Sequence, residues 1–271
     1  MEIPDFSFGV YDSFYEPLQA YMEELASAAP GYVRKSLIGK SQEGRDLTLL
    51  TLTDFAAGNA EDKPALLVFA NMHCHELSGP IAALTTARNL LRNDLELLKE
   101  HTFYIIPRIN PDGAEKVLKH SGFIRSRWDY SYKINTLRYQ DMDGDGIISE
   151  MRKECPWGDY CIDPDNPTRL IPRTADSKGP FYLMFGEGVL VNWDGKLLQQ
   201  EELEGGYRDW NRSSFVGWDP KVAAGGDFPY SEQEMYCLMK FMTGHKNIFG
   251  FINYHNGWGA IIGPAKVEIP D

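Results

Sequence analysis

The chain has 271 residues, enough for one large domain or two small ones, and 43% of them are hydrophobic and 24% charged, which is ordinary for a globular protein. A formal net charge of −12 and a pI near 5.0 argue against nucleic acid or an anionic membrane as the main partner. No apolar run is long enough to span a bilayer, and the N-terminus lacks the pattern of a signal peptide. Of the four cysteines only Cys155 and Cys161 lie close in sequence, and they could pair in an oxidising compartment.

Helices and strands alternate through the first part of the chain. Strands that alternate with helices predict an α/β fold, with a mostly parallel or mixed central sheet and helices on both faces. In chain order we predict a helix over 17–28, strands over 32–39 and 46–53, a strand starting at Ala65, a helix over 79–92, a strand over 102–107 and a further helix after Gly113.

The pattern changes between residues 125 and 208, where apolar periodicity fades and Asp, Gly, Pro, Tyr and Trp become frequent. This composition predicts a long irregular insertion within a single domain over 1–271, because little of it could form a core of its own. Regular structure is expected again as a helix over 231–242, with Ser231 and Glu234 spaced as in a capping box, and as a strand over 248–254.

Polar side chains with metal-binding chemistry follow two of the predicted strands. The apolar run that starts at Ala65 leads to His73 and Glu76, and His255 follows the last strand directly. Each histidine alone is more often a hydrogen-bonded structural residue than a ligand. Chemistry in α/β sheets sits beyond the carboxyl ends of strands, however, and a His/Glu/His set suits a catalytic zinc that keeps one position open for water. The three residues together therefore predict a zinc site.

Six short segments stand out, in this order along the chain: 39–45 (Gly-Lys-Ser-x-Glu-Gly-Arg), 73–76 (His-x-x-Glu), 110–113 (Asn-Pro-Asp-Gly), 209–212 (Asp-Trp-Asn-Arg), 228–232 (Phe-Pro-Tyr-Ser-Glu) and His255. Together they resemble the zinc carboxypeptidase family, the funnel-shaped metallocarboxypeptidases, and cover residues 38 to about 264 except the insertion. The resemblance implies a central sheet of about eight strands. It also implies hydrolysis of the C-terminal peptide bond of peptides by a zinc-activated water.

The resemblance also implies roles for residues outside the zinc set. Asn211 and Arg212 would hold the substrate's free C-terminal carboxylate, for which the planar guanidinium fork is well suited. Arg125 would stabilise the oxyanion, with Arg127, two residues away, as the alternative. For each arginine the simpler alternative is a surface or structural ion pair.

One element of the family pattern is missing. The family's general base is a glutamate on a strand well downstream of the third zinc ligand, but this chain ends at Asp271. Glu268 is too close to His255 for that role and is not assigned it, so the general base is unknown. We expect the chain to be a fragment truncated at its C-terminus, and the alternative is a protein that binds zinc without efficient hydrolysis.

The acidic stretch over 141–149, in the insertion, matches the first nine positions of a calcium loop. Position twelve of the loop is Arg152, where an EF-hand has a bidentate glutamate, so this loop is not an EF-hand. The alternative to a calcium site is a solvated acidic turn. In this acidic insert the chain resembles some bacterial members of the family, which carry a similar one. Loose calcium binding would suit an extracytoplasmic setting, periplasmic or secreted. The expected calcium ligands are Asp141, Asp143, Asp145, Ile147 and Ser149.

Three functions fit these observations. The first is a metallocarboxypeptidase. The second is an amidase or deacylase on the same scaffold, acting on N-acyl amino acids or cell-wall peptides. The third is a catalytically inactive binding module stabilised by metal.

Overall fold

The structure, a computed structural model, describes residues 2–120, 125–128, 136–191 and 207–256. No helix in these ranges combines the length and hydropathy needed to cross a bilayer. The helices and strands are α1 (Tyr15–Ala28), β1 (Val33–Lys40), β2 (Asp46–Leu52), β3 (Ala65–Ala70), α2 (Ser78–Asn93), α3 (Leu95–Glu100), β4 (Thr102–Ile106), α4 (Pro111–His120), β5 (Arg127–Trp128), β6 (Thr136–Tyr139), β7 (Glu150–Glu154), β8 (Tyr160–Asp163), β9 (Asn166–Pro172), β10 (Phe181–Gly186), β11 (Gly188–Val191), β12 (Tyr207–Arg208), α5 (Gln233–Gly244) and β13 (Ile248–Tyr254).

The main sheet is mixed and has the strand order β1-β2-β4-β3-β13. β1, β2 and β4 pair in antiparallel fashion, whereas β3 is parallel to both of its neighbours, β4 and β13. The carboxyl ends of β4, β3 and β13 therefore meet at one edge of the sheet. The predicted mixed α/β fold is confirmed. The described residues contribute five strands to this sheet, and the expected count of about eight is not confirmed.

Both faces of β3 are buried, which explains its unbroken apolar sequence. Val68 and Ala70 face one core, formed with α1 and α2, and Leu67 and Phe69 face a second core, formed with α5. Helices thus cover the two faces of the sheet, as expected. Fully buried side chains of these cores include Leu25, Leu50, Leu84, Ala87, Leu98, Ile105 and Ile106.

The prediction that residues 125–208 are irregular is wrong for the part that the structure describes. β7, β10, β8 and β9 form a four-stranded antiparallel sheet, and the pairs β6–β11 and β5–β12 are also antiparallel. These strands are short and partly exposed, so they carry no clear apolar alternation. Cation–π contacts support this sheet, with Arg152 over the ring of Tyr182 (4.9 Å) and Arg173 over that of Phe181 (3.7 Å).

The register of this small sheet excludes a disulfide between Cys155 and Cys161. The amide of Cys155 donates to the carbonyl oxygen of Phe181 (2.9 Å), and Phe181 pairs on its other side with Cys161. The cysteines therefore flank β10, separated by two interstrand spacings of about 4.8 Å each, whereas a disulfide needs Cα atoms within about 7 Å. Both are buried free thiols.

Candidate metal centre

The first two predicted ligands lie in a buried turn between β3 and α2. The amide of Glu76 donates to the carbonyl oxygen of His73 (3.0 Å), which closes the turn and places the two side chains on the same side. His73 is 2% exposed and Glu76 is 5% exposed. His255 comes from β13, whose last residue, Tyr254, pairs with Ala70 at the end of β3. The parallel register of β3 and β13 therefore delivers the third ligand to this turn.

The structure brings the three side chains together. His73 Nδ1 lies 3.0 Å from Glu76 Oε1, and His255 Nδ1 lies 2.8 Å from Glu76 Oε2. One donor atom from each residue lies within 4.8 Å of the other two. Burial favours a raised pKa for Glu76, but the hydrogen bonds from the two imidazoles outweigh it and lower the pKa to about 2. The carboxylate is thus ionised. The His255 side chain is 33% exposed, so the cluster opens to solvent on that side.

This donor set fits a zinc ion. Zinc binds histidine nitrogen and carboxylate oxygen at about 2.0–2.1 Å, so the donors of a tetrahedral site lie about 3.3 Å apart. The two His–Glu separations of 2.8 and 3.0 Å are close to that spacing. Three protein ligands with one open side also match the composition of catalytic rather than structural zinc sites.

Asp209 contacts the ring nitrogen of His73 that does not face Glu76, although the two residues lie 136 positions apart in the sequence. Asp209 Oδ1 is 3.2 Å from His73 Nε2, and its other oxygen accepts from Arg125 Nε at 2.7 Å. Burial would raise the pKa of Asp209, but the bonds to His73 and Arg125 hold it well below its usual range. Burial likewise opposes a charge on His73, yet its bonds to Asp209 and Glu76 raise the pKa of the imidazole. With the Nε2 proton held by Asp209, loss of the proton on Nδ1 would free the Nδ1 lone pair for a metal.

Sequence reasoning missed this role of Asp209. The residue stands at the head of the 209–212 segment, which drew attention only for its Asn-Arg pair. A carboxylate directly beside a candidate substrate-binding segment was the available signal.

The two candidate oxyanion arginines have different partners. Arg125 reaches the cluster through Asp209, whereas Arg127 forms two bonds to Glu232, from Nε to Oε2 (2.7 Å) and from Nη2 to Oε1 (2.9 Å). Glu232 also accepts from Trp210 Nε1 (3.2 Å). The geometry therefore favours Arg125 over Arg127 as the arginine next to the metal centre.

Asn211 and Arg212 lie in a short 3-10 turn, Trp210–Arg212, that follows Asp209. Asp209 Oδ1 accepts from the amide of Asn211 (3.0 Å), and Trp210 is 1% exposed, so the turn is anchored at its start. Asn211 Nδ2 lies 3.2 Å from His73 Nε2. Arg212 is exposed, and no salt bridge to another residue of the described ranges is found for it. The side-chain amide of Asn211 thus adjoins the His/Glu/His cluster, and the guanidinium of Arg212 lies next to that amide at the surface.

The acidic loop brings together three of its five predicted ligands. Carboxylate oxygens of Asp141, Asp143 and Asp145 lie within 4.8 Å of one another. Asp141 accepts from the amides of two loop glycines (2.6 and 2.8 Å). Glu187, buried at 5% exposure and not foreseen from the sequence, accepts from the amide of Ser149 (3.0 Å) and from two further loop amides. Hydrogen bonds to protein groups thus account for the loop shape.

Residue 268, considered as a general base, lies outside the described residues. The sequence model of the family described as zinc carboxypeptidase matches residues 18–147. Zinc carboxypeptidase A 1 of Drosophila melanogaster is 32% identical over 99 residues, which are 35% of this chain and 23% of that protein. Carboxypeptidase E of Caenorhabditis elegans is 32% identical over 145 residues, 50% of this chain and 31% of that protein. The chain thus spans about a quarter to a third of these relatives.

Solved structures are similar over a larger part of the chain. Carboxypeptidase A from Helicoverpa armigera superimposes with a TM-score of 0.58 and 18% identity, covering 93% of this chain and 47% of that one. Bovine thrombin-activatable fibrinolysis inhibitor gives a TM-score of 0.50 and 16% identity, covering 92% of this chain and 62% of that one. At these identities the similarity supports the fold alone. Together with the family match over residues 18–147, it confirms the resemblance to the zinc carboxypeptidase family seen in the sequence.

Proposed function

We propose that this protein is a zinc-dependent metallocarboxypeptidase that removes residues from the C-terminus of peptides. The observation that carries the proposal is the convergence of donor atoms from His73, Glu76 and His255 within 4.8 Å at the carboxyl edge of the sheet. The family match supports the same conclusion. These three residues would hold the zinc ion, which, when bound, supplies a Lewis acid that polarises the scissile carbonyl and acidifies water.

The protein's own groups have separate tasks in this proposal. Asp209 keeps the His73 imidazole in one tautomer and one orientation, because it accepts the proton on Nε2. Arg125 uses Nε to bind Asp209, and its two Nη groups are then available to a carbonyl oxygen on which negative charge develops. Its side chain is 30% exposed, so substrate can reach it.

Asn211 and Arg212 would bind the free C-terminal carboxylate of the substrate. Arginine presents two parallel N–H donors that match the two carboxylate oxygens, and the asparagine amide adds a further donor. The exposed position of Arg212 supports this role, as does the place of Asn211 beside His73 (3.2 Å). This arrangement sets the scissile bond close to the terminal carboxylate, as an exopeptidase requires.

Zinc binding is tested on the chain itself. We expect about one zinc ion per chain by isothermal titration, and we expect His255→Ala to weaken binding strongly, because one of three ligands is removed. His245→Ala is the matched control, since His245 precedes β13 and caps the carbonyl of Phe241 (2.8 Å) at the opposite end of that strand. Equal zinc affinity of the two variants would contradict the site.

Exopeptidase specificity is tested in the full-length protein, because the chain matches only about a quarter to a third of its curated relatives. We expect cleavage of a peptide with a free C-terminus and little cleavage of its C-terminal amide. Arg212→Ala should abolish this preference, whereas Arg169→Ala, in the exposed strand β9, should retain it. Equal cleavage of free and amidated peptides by the wild type would remove the exopeptidase proposal.

The same assays separate the alternatives. An amidase or deacylase would cleave N-acyl amino acids or cell-wall peptides in preference to ordinary peptides. A binding module would take up zinc at His73, Glu76 and His255 but hydrolyse none of these substrates.

We also propose that the acidic loop binds calcium and that the protein works outside the cytoplasm. The clustering of Asp141, Asp143 and Asp145 supports the first point. A melting temperature that is equal in calcium and in chelator would rule out a calcium-stabilised loop. Detection of the native protein in the cytoplasmic fraction alone would exclude the second point.

A further inference from the structure

Asn71 joins β3 to the turn that carries His73 and Glu76, and its backbone is unusual. It is fully buried, with 0% exposure, and its φ of 60° lies in the left-handed region. Among residues with a side chain, asparagine and aspartate enter that region most readily. The left-handed residue ends the strand and turns the chain towards the ligand turn.

The side-chain amide of Asn71 holds this turn from inside. Its Nδ2 lies within hydrogen-bonding distance of the carbonyl oxygens of His73 (2.9 Å), Cys74 (3.2 Å) and Glu76 (3.2 Å), so its two hydrogens are shared among three acceptors. Three of the four residues from 73 to 76 are thus tied to one nitrogen, and two of them are the predicted metal ligands. A single side chain therefore constrains the relative placement of His73 and Glu76.

The other end of the amide is held by Arg108. Asn71 Oδ1 accepts from Arg108 Nε (2.9 Å), and the guanidinium, 6% exposed, also donates to the carbonyl and hydroxyl oxygens of Ser13 (2.5 and 3.0 Å). Arginine can only donate and a backbone carbonyl can only accept, so the amide fits in one orientation. Burying a guanidinium costs free energy, and the hydrogen bonds to Asn71 and Ser13 offset part of that cost.

We propose that Asn71, held by Arg108, is a positioning residue that sets the spacing of His73 and Glu76 before a metal ion binds. The inference rests on the proposed zinc site. Glycine would accept the backbone angle but could hold nothing. Aspartate would satisfy Arg108 but would face three carbonyl oxygens with an acceptor. Asparagine meets both demands, and pre-set ligands reduce the ordering cost of binding.

The experiment is a titration of the metal-free chain with Zn²⁺ and with Co²⁺, whose visible absorption reports ligand geometry. For Asn71→Gly we expect about 10- to 100-fold weaker binding, the range found when groups that support metal ligands are removed, and an altered Co²⁺ spectrum. The control is Asn247→Ala, because Asn247 Nδ2 similarly donates to the carbonyls of Ala60 (3.0 Å) and Lys63 (2.8 Å) at the opposite end of β3. We expect this control to lower the melting temperature while affinity stays within about twofold.

Each outcome bears on a different claim. An Asn71→Gly protein with wild-type affinity and spectrum would overturn the positioning role. A wild-type chain without affinity for either ion would overturn the proposed zinc site instead. If Asn71→Gly does not fold, Arg108→Lys decides, since lysine keeps the charge but lacks the fork that reaches Asn71 and Ser13 together. A folded Arg108→Lys chain with unchanged affinity and spectrum would then refute the inference.

Discussion

Replacement of Asp209 by asparagine is the sharpest test of how the metal centre is organised. The variant keeps the size of the side chain and one oxygen, but it removes the charge that His73 Nε2 (3.2 Å) and Arg125 Nε (2.7 Å) share. Loss of such a supporting carboxylate costs about 10- to 100-fold in metal affinity, or about 1.4–2.7 kcal/mol. We therefore expect zinc binding to weaken by that factor without loss of the fold.

The assay is competition for zinc against a chromophoric chelator, at fixed pH and ionic strength. Asp227→Asn is the matched control. Asp227 also faces an arginine, with Arg208 Nη2 at 3.3 Å, but its side chain is 80% exposed and lies outside the His/Glu/His cluster. Exposed pairs contribute little, so the control should bind zinc within about twofold of the wild type. Equal affinity of Asp209→Asn and Asp227→Asn would refute the view that Asp209 prepares His73 for the metal.

Two further predictions concern stability. Burial raises the pKa of Glu234, which is 2% exposed, from 4.5 to about 7. Between about pH 4.5 and 7 this carboxyl is ionised in the unfolded chain but protonated in the folded one, so the stability of the wild type should fall as pH rises through that range and then level off. Glu234→Gln should remove this pH dependence, which amounts to about 3 kcal/mol at most in the free energy of unfolding. Urea unfolding at pH 5 and pH 8 measures it, and an equal pH dependence in the variant and the wild type would contradict the assignment. Gly113→Ala should cost about 1–3 kcal/mol, because its Cβ would lie 2.8 Å from the Cβ and Sγ of Cys74, while Gly31→Ala, with nothing within 4 Å, should be nearly neutral in the same melts.

Several features of the molecule were readable from local pattern. The apolar run of β3 marked a strand buried on both faces, and the structure packs Val68 and Leu67 into opposite cores. His73 and Glu76 were recognisable because one turn separates them, and His255 because it follows a strand directly. Each inference needed only the spacing of residues within one segment, together with the rule that parallel strands end at a common edge.

Other features depended on contacts between distant segments. The expected capping box at Ser231 does not form, because Glu232 is held in extended conformation by its bonds to Arg127 and Trp210, and α5 begins at Gln233. The small sheet of the insertion escaped prediction because its strands are defined by their partners rather than by their own periodicity.

The side chains that support the metal ligands likewise depend on contacts between distant segments. Asp209 and Arg108 reach His73 and Asn71 from elsewhere in the chain, and their local sequence does not specify these partners. Residue spacing encodes which face of an element is buried and where the element ends, so the two imidazoles and the carboxylate could be foreseen. Which side chain supports each ligand depends on strand register and on the packing of loops, which arise only when the whole chain folds.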